Sequence, residues 1–265
     1  MKAYGWRLSV PVEAVATGRS ANSCRNSPAM GRTGGSRYFF IAIGAWCILI
    51  AVAGFAPSFY AFFTGEWFIP PIVHVHAVLM LSWLALYTTQ ATSVANANLA
   101  RHRRMGWLAV WLAATVWIFM GVATIVALKR FDPDQMPFLV KPLLIQLGTM
   151  AMFPIFFAWA VLARRQADWH RRLMTLATFV LVQPALDRMH WLPAMDLPGF
   201  WDSGLRGYVL LLLPLFLFDI FTLRRIHPAT LIGSALIIAM HAVVSFYWAD
   251  EGWNQLARGF WMWLR

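Results

Sequence analysis

The chain has 265 residues, of which 60% are hydrophobic and only 12% charged, and its mean hydropathy is +0.60. So little charge on so much apolar surface excludes a water-soluble domain. The formal net charge of +11, from 22 Lys and Arg against 11 Asp and Glu, does not point to nucleic acid, because no basic soluble domain is present to bind one.

In chain order, residues 1–37 are rich in Gly, Ser and Arg and contain no apolar run. They read as a disordered basic cytoplasmic tail, neither signal peptide nor span. Met30, just ahead of the first apolar stretch, offers a second start position with a short cytoplasmic lead. Seven apolar stretches follow, near Tyr38–Tyr60, Ile72–Val94, Gly106–Leu128, Phe138–Ala163, Arg172–Trp191, Gly207–Leu223 and Ala229–Trp248. A bilayer core of ~30 Å takes ~20 apolar residues per helix and holds no water to satisfy an open backbone. The expected fold over 38–248 is therefore all-α, a polytopic bundle of seven transmembrane helices. Cys24 and Cys47 fall in the tail and in the first span, so no disulfide is expected.

The connections give the orientation. Fifteen of the 22 basic residues lie before span one or between spans two and three, four and five, and six and seven. The other side holds Lys129, Arg130, Lys141, Arg188, Arg206, Arg258 and Arg265. Glu66, Asp132, Asp134, Asp187, Asp196, Asp202, Asp250 and Glu251 also fall on that second side. Positive charge is retained in the cytoplasm, which places the N-terminus inside and the C-terminus in the periplasm of a bacterial-type inner membrane. Anionic lipid headgroups are the natural partners of the arginine clusters.

The candidate functional residues also come in order along the chain. In span two, His76, Met80, Trp83, Tyr87 and Gln90 fall within about 80° of one another at helical spacing, while His74 points about 160° away from His76. Such a stripe either glues helices together by hydrogen bonds or lines a site. His102 and His170 each open a His-Arg-Arg phrase, before spans three and five, and as interfacial residues they suit lipid anchors or ligands. Gln146 lies within span four. Span five carries Gln183, Asp187 and His190 on one face beside Pro184; Asp187 either orients the His190 imidazole or pairs with Arg188. Asp219 in span six lies within a helical turn or so of Arg224 and Arg225 and is expected to pair with one of them. Span seven places His241 about 10 Å inside the outer boundary, with Ser234 and Ser245 on its face. Together these predict an outward cavity lined by His76, Met80, Trp83, Tyr87, Gln90, Gln183, Asp187, His190 and His241. Residues 249–265 follow as an amphipathic, Trp-rich helix expected to lie on the outer surface.

Histidines near both faces on several helices, with the His-Arg-x-x-Gly segment His102–Gly106, resemble transmembrane b-type cytochromes and uncharacterised bacterial multi-pass membrane proteins that share this phrase. The resemblance implies an electron carrier in which paired histidines ligate haem b, exchanging electrons with a quinone or another redox partner. An outer haem would use His76 with His190 or His241, and an inner one His102 with His170. Here the inner pair stands at the span ends rather than within them. Two other functions fit the pattern. One is a zinc hydrolase with His76, His190 and His241 as metal ligands, although Ser245 breaks the usual His-x-x-x-His of the last span. The other is a small-solute transporter, a sensor or an assembly protein without chemistry of its own. The chain has no Gly-x-Ser-x-Gly, no phosphate-binding glycine loop and no Cys-x-x-Cys.

Overall fold

A computed structural model describes residues 34–66, 68–130, 136–192, 203–247 and 250–264. The basic lead over 1–33, Met30, Cys24 and the loop acids Asp132, Asp134, Asp196 and Asp202 lie outside the described residues. All regular structure among the described residues is helical: α1 (Gly34–Phe63), α2 (Pro71–Ala95), α3 (Leu99–Arg130), α4 (Met136–Leu162), α5 (Ala167–Leu186), α6 (Ser203–Leu223), α7 (Pro228–Tyr247) and α8 (Glu251–Leu264). Proline starts α2 and α7, where its missing N–H has no intrahelical partner to lose. The α2–α3 and α6–α7 connections turn through left-handed residues, Ala97 and Arg224, each with a φ of 57°. Asn98 then caps α3, its Oδ1 accepting the Arg101 N–H at 2.9 Å. Residues 34–37, expected in the tail, already belong to α1.

Six helices, α1, α2, α3, α4, α6 and α7, are long and apolar enough to cross a membrane. Each buries only part of its surface in the protein and leaves rows of Leu, Val, Ile and Phe exposed. Helix α5 differs. It carries Asp168, Arg171, Arg172 and Gln183 and is not among the six, yet it packs against α1, α2, α4, α6 and α7 and is buried from Arg172 almost to its end, Met174 and Pro184 apart. A helix sheathed by other helices needs no lipid-facing side. It can therefore hold polar groups wherever a neighbour satisfies them.

The sheath is tight because small residues let backbones approach. A Cβ on Gly54 of α1 would stand 2.1 Å from the Ala185 carbonyl oxygen of α5. Polar contacts add to the packing between α2 and α5. The Trp83 indole N–H donates to Thr178 Oγ1 at 3.2 Å, and the Tyr87 hydroxyl bonds Thr175 Oγ1 at 2.7 Å. Trp83 also meets Phe153 and Phe157 edge-on. Trp83 and Tyr87 thus fill the space between α2, α4 and α5 and cement the helices. Because Thr175 also donates to the Arg171 carbonyl at 2.8 Å, Tyr87→Phe should cost only about 1 kcal/mol or less. Thermal unfolding of the detergent-purified variant, followed by loss of helix signal, checks this.

Candidate functional site

The outer histidines come from different environments. His76 on α2 is half-buried, and its Nδ1 is buried without a hydrogen-bond partner. His241 on α7 is buried, with its ring 6.1 Å from that of Tyr208 on α6. Helix α5 stops at Leu186, one turn short of His190, which is consequently exposed and leaves the face it would have shared with Gln183 and Asp187. Pro184 sits in the last turn, where its ring removes a backbone donor. Gln183 and Asp187 do meet, the Gln183 amide donating to Asp187 Oδ2 at 2.7 Å. Among the described residues no three of His, Cys, Asp or Glu gather in a group that could hold a metal ion. A shallow groove of about 530 Å³ opens at this end between small residues of α1 and Tyr60, Glu66 and Trp191, and none of the expected cavity residues lines it.

At the other end two histidines converge. His102 is the fourth residue of α3 and His170 the fourth of α5. The repeated His-Arg-Arg phrase therefore occupies the same place in both helices, and their rings meet edge-to-face with centroids 6.0 Å apart and planes at 86°. His170 Nδ1 lies 2.8 Å from the Ala160 carbonyl oxygen of α4. A carbonyl only accepts, so Nδ1 carries a proton and donates it to this bond. His102 lies beside the main chain of Gln90 on α2, and both its Nδ1 and the Gln90 Oε1 are buried without a hydrogen-bond partner. Leaving such atoms unsatisfied costs about 1–3 kcal/mol each, which marks the α2–α3–α5 junction as a place suited to a further ligand. Arg101, Arg103 and Arg104 are exposed around it.

Beneath this pair, Asp219 of α6 does not reach Arg224 or Arg225. It pairs with Arg172 of α5, and both side chains are fully buried. Asp219 Oδ1 accepts from Arg172 Nε at 2.9 Å and also from its Nη2. Oδ2 accepts the Thr230 hydroxyl at 2.6 Å and the His227 backbone N–H at 3.0 Å. One carboxylate thereby joins α5 and α6 to the first turn of α7, and Arg172 is an internal partner rather than a headgroup anchor. The remaining Arg172 Nη1 donates to the Asp168 carbonyl at 3.0 Å, while Arg171 pairs with the exposed Asp168 carboxylate. Burial, then the Arg172 guanidinium, holds the His227 imidazole below its ordinary pKa of 6.5 against the opposing pull of Asp219. Its Nδ1 accordingly accepts the Ala229 N–H at 3.1 Å and caps α7. Sequence reasoning missed the Arg172–Asp219 pair because the partners stand 47 residues apart. The only signal was an acid buried in a span, with its partner unspecified.

Compared with protein-family models, with curated proteins and with solved structures, the chain matches none.

Proposed function

We propose that the chain is a seven-helix protein of a bacterial-type cytoplasmic membrane, N-terminus inside, that carries electrons through a b-type haem ligated by His102 and His170. The observation that supports this reading is the contact between the two rings at 6.0 Å, each from a different helix. Helix α5 counts as the seventh span because five of the six apolar helices pack around it, and the arginine-rich connections set the orientation.

Two features of the residues present favour the group. Bundles build cofactor sites from side chains on facing helices, and a ligating imidazole is held by a hydrogen bond from its other nitrogen. His170 has that arrangement through Ala160, and His102 brings a buried nitrogen with no other partner. When bound, haem supplies a one-electron change at its iron. The chain's own contribution would be to hold two imidazoles on neighbouring helices and to offer Arg101, Arg103 and Arg104 to the propionate carboxylates. The electron donor or acceptor is a membrane quinone or a partner protein.

An oxidised-minus-reduced visible spectrum with pyridine haemochrome quantification tests the reading. One b-type haem per chain is expected, lost in His170→Ala and in His102→Ala while the helix signal is retained. A wild-type protein that neither purifies with haem nor takes it up on titration would overturn it.

A further inference from the structure

Helix α8 presents three distinct sides. At 100° per residue, Trp253, Ala257, Trp261 and Leu264 fall within about 80° of one another. This side is docked: Ala257 and Trp261 are buried with Leu128 of α3 and Leu143 of α4, Trp253 and Leu264 pack at the edge, and the Trp261 indole N–H donates to the Leu128 carbonyl at 2.9 Å. Leu256, Phe260 and Trp263 form a second sector about 60° wide on one flank, and all three are exposed. Glu251, Gln255 and Arg258 form a third, about 140° away on the opposite flank, with the exposed Met262 among them. A helix floating in water gains nothing from the second sector, and one buried in protein would not keep the third.

We infer that α8 lies in the membrane–water boundary with Leu256, Phe260 and Trp263 inserted into the phospholipid leaflet at the end of the bundle remote from the arginine-rich connections. The inference rests on the membrane-spanning helices and is independent of haem. Two observations favour lipid over a second protein. First, this end of the bundle carries other exposed aromatics at helix termini, Tyr60 and Phe63 on α1 and Phe246 and Tyr247 on α7, and Tyr, like the Trp263 of this sector, favours the membrane–water interface. Second, α8 docks at the level of Leu128, and a ~30 Å core measured back along α3 takes ~20 residues and ends near Leu108. Trp107 and Trp111, 74% and 71% exposed, stand at that level. The two aromatic markers are thus one bilayer thickness apart. The same measure places His102 about 9 Å beyond the hydrocarbon, within the protein at headgroup depth.

Spin labels on single cysteines at positions 255, 256, 258 and 263, in a Cys24→Ser/Cys47→Ala background, test this in phosphatidylethanolamine/phosphatidylglycerol vesicles. Labels at 256 and 263 should be relaxed by oxygen and shielded from a nickel chelate, with the reverse at 255 and 258. Nickel access at 256 and 263 would place the sector in water, and low access to both reagents would place it against protein; either overturns the inference. In the unmutated chain, a lipid-resident diazirine probe should label Leu256, Phe260 or Trp263 and spare Gln255. Failure to label any of the three also overturns it, and covers the case in which the cysteine variants do not fold.

Discussion

Asp219→Asn is expected to destabilise the bundle by about 3–5 kcal/mol, the largest loss of any single polar substitution in the chain. It leaves the Arg172 guanidinium, fully buried, without the carboxylate that compensates it. The four donors now converging on Asp219 would include two that the amide nitrogen cannot accept. Arg172→Met should cost a similar amount by stranding the carboxylate instead. Arg172→Met combined with Asp219→Leu removes both charges and should recover much of the loss, since replacing a buried pair by apolar groups is often close to neutral. Unfolding midpoints of the four proteins in mild detergent decide it. If Asp219→Asn unfolds with the wild type, the buried pair does not hold α5, α6 and α7 together.

The second large effect is expected from a single methyl group. Gly54→Ala places a Cβ 2.1 Å from the Ala185 carbonyl oxygen, a backbone atom that no rotamer change can move aside. Helix α1 must shift away from α5, with an expected cost of about 1–3 kcal/mol or more. At Gly106 nothing lies within 4 Å of the added carbon. Gly106→Ala should therefore unfold no earlier than the wild type, and equal midpoints for the two variants would rule out close α1–α5 packing as the reason for glycine at 54.

Helix lengths and positions were legible because they depend on local pattern. Six apolar runs coincide with helices long enough to span; most boundaries differ by a few residues, but α3 starts at Leu99, seven residues before the expected Gly106. Helix α5 was expected as the fifth span, but it is not among the six described helices long and apolar enough to cross a membrane. Its polar groups are accommodated because five neighbours enclose it and remove the requirement for an apolar surface. Of the candidate residues, the α2 stripe was a face as expected, but Trp83 and Tyr87 point into α5 and close the space they were expected to line. His190 left its expected face because the helix stops before it, and an end beside Pro184 cannot be placed to one turn from hydropathy alone.

The sequence by itself determined that this is a helical membrane protein, where its helices run and which connections carry the arginines, because those properties follow from hydrophobicity and spacing within single segments. Only the tertiary structure decided which polar groups meet. His102 finds His170 and Arg172 finds Asp219 across dozens of residues, while among the described residues no three of His, Cys, Asp or Glu gather in a group that could hold a metal ion. The physical reason is that a helix's periodicity defines its faces, but the partner of each face is set by the packing of helices distant in the chain.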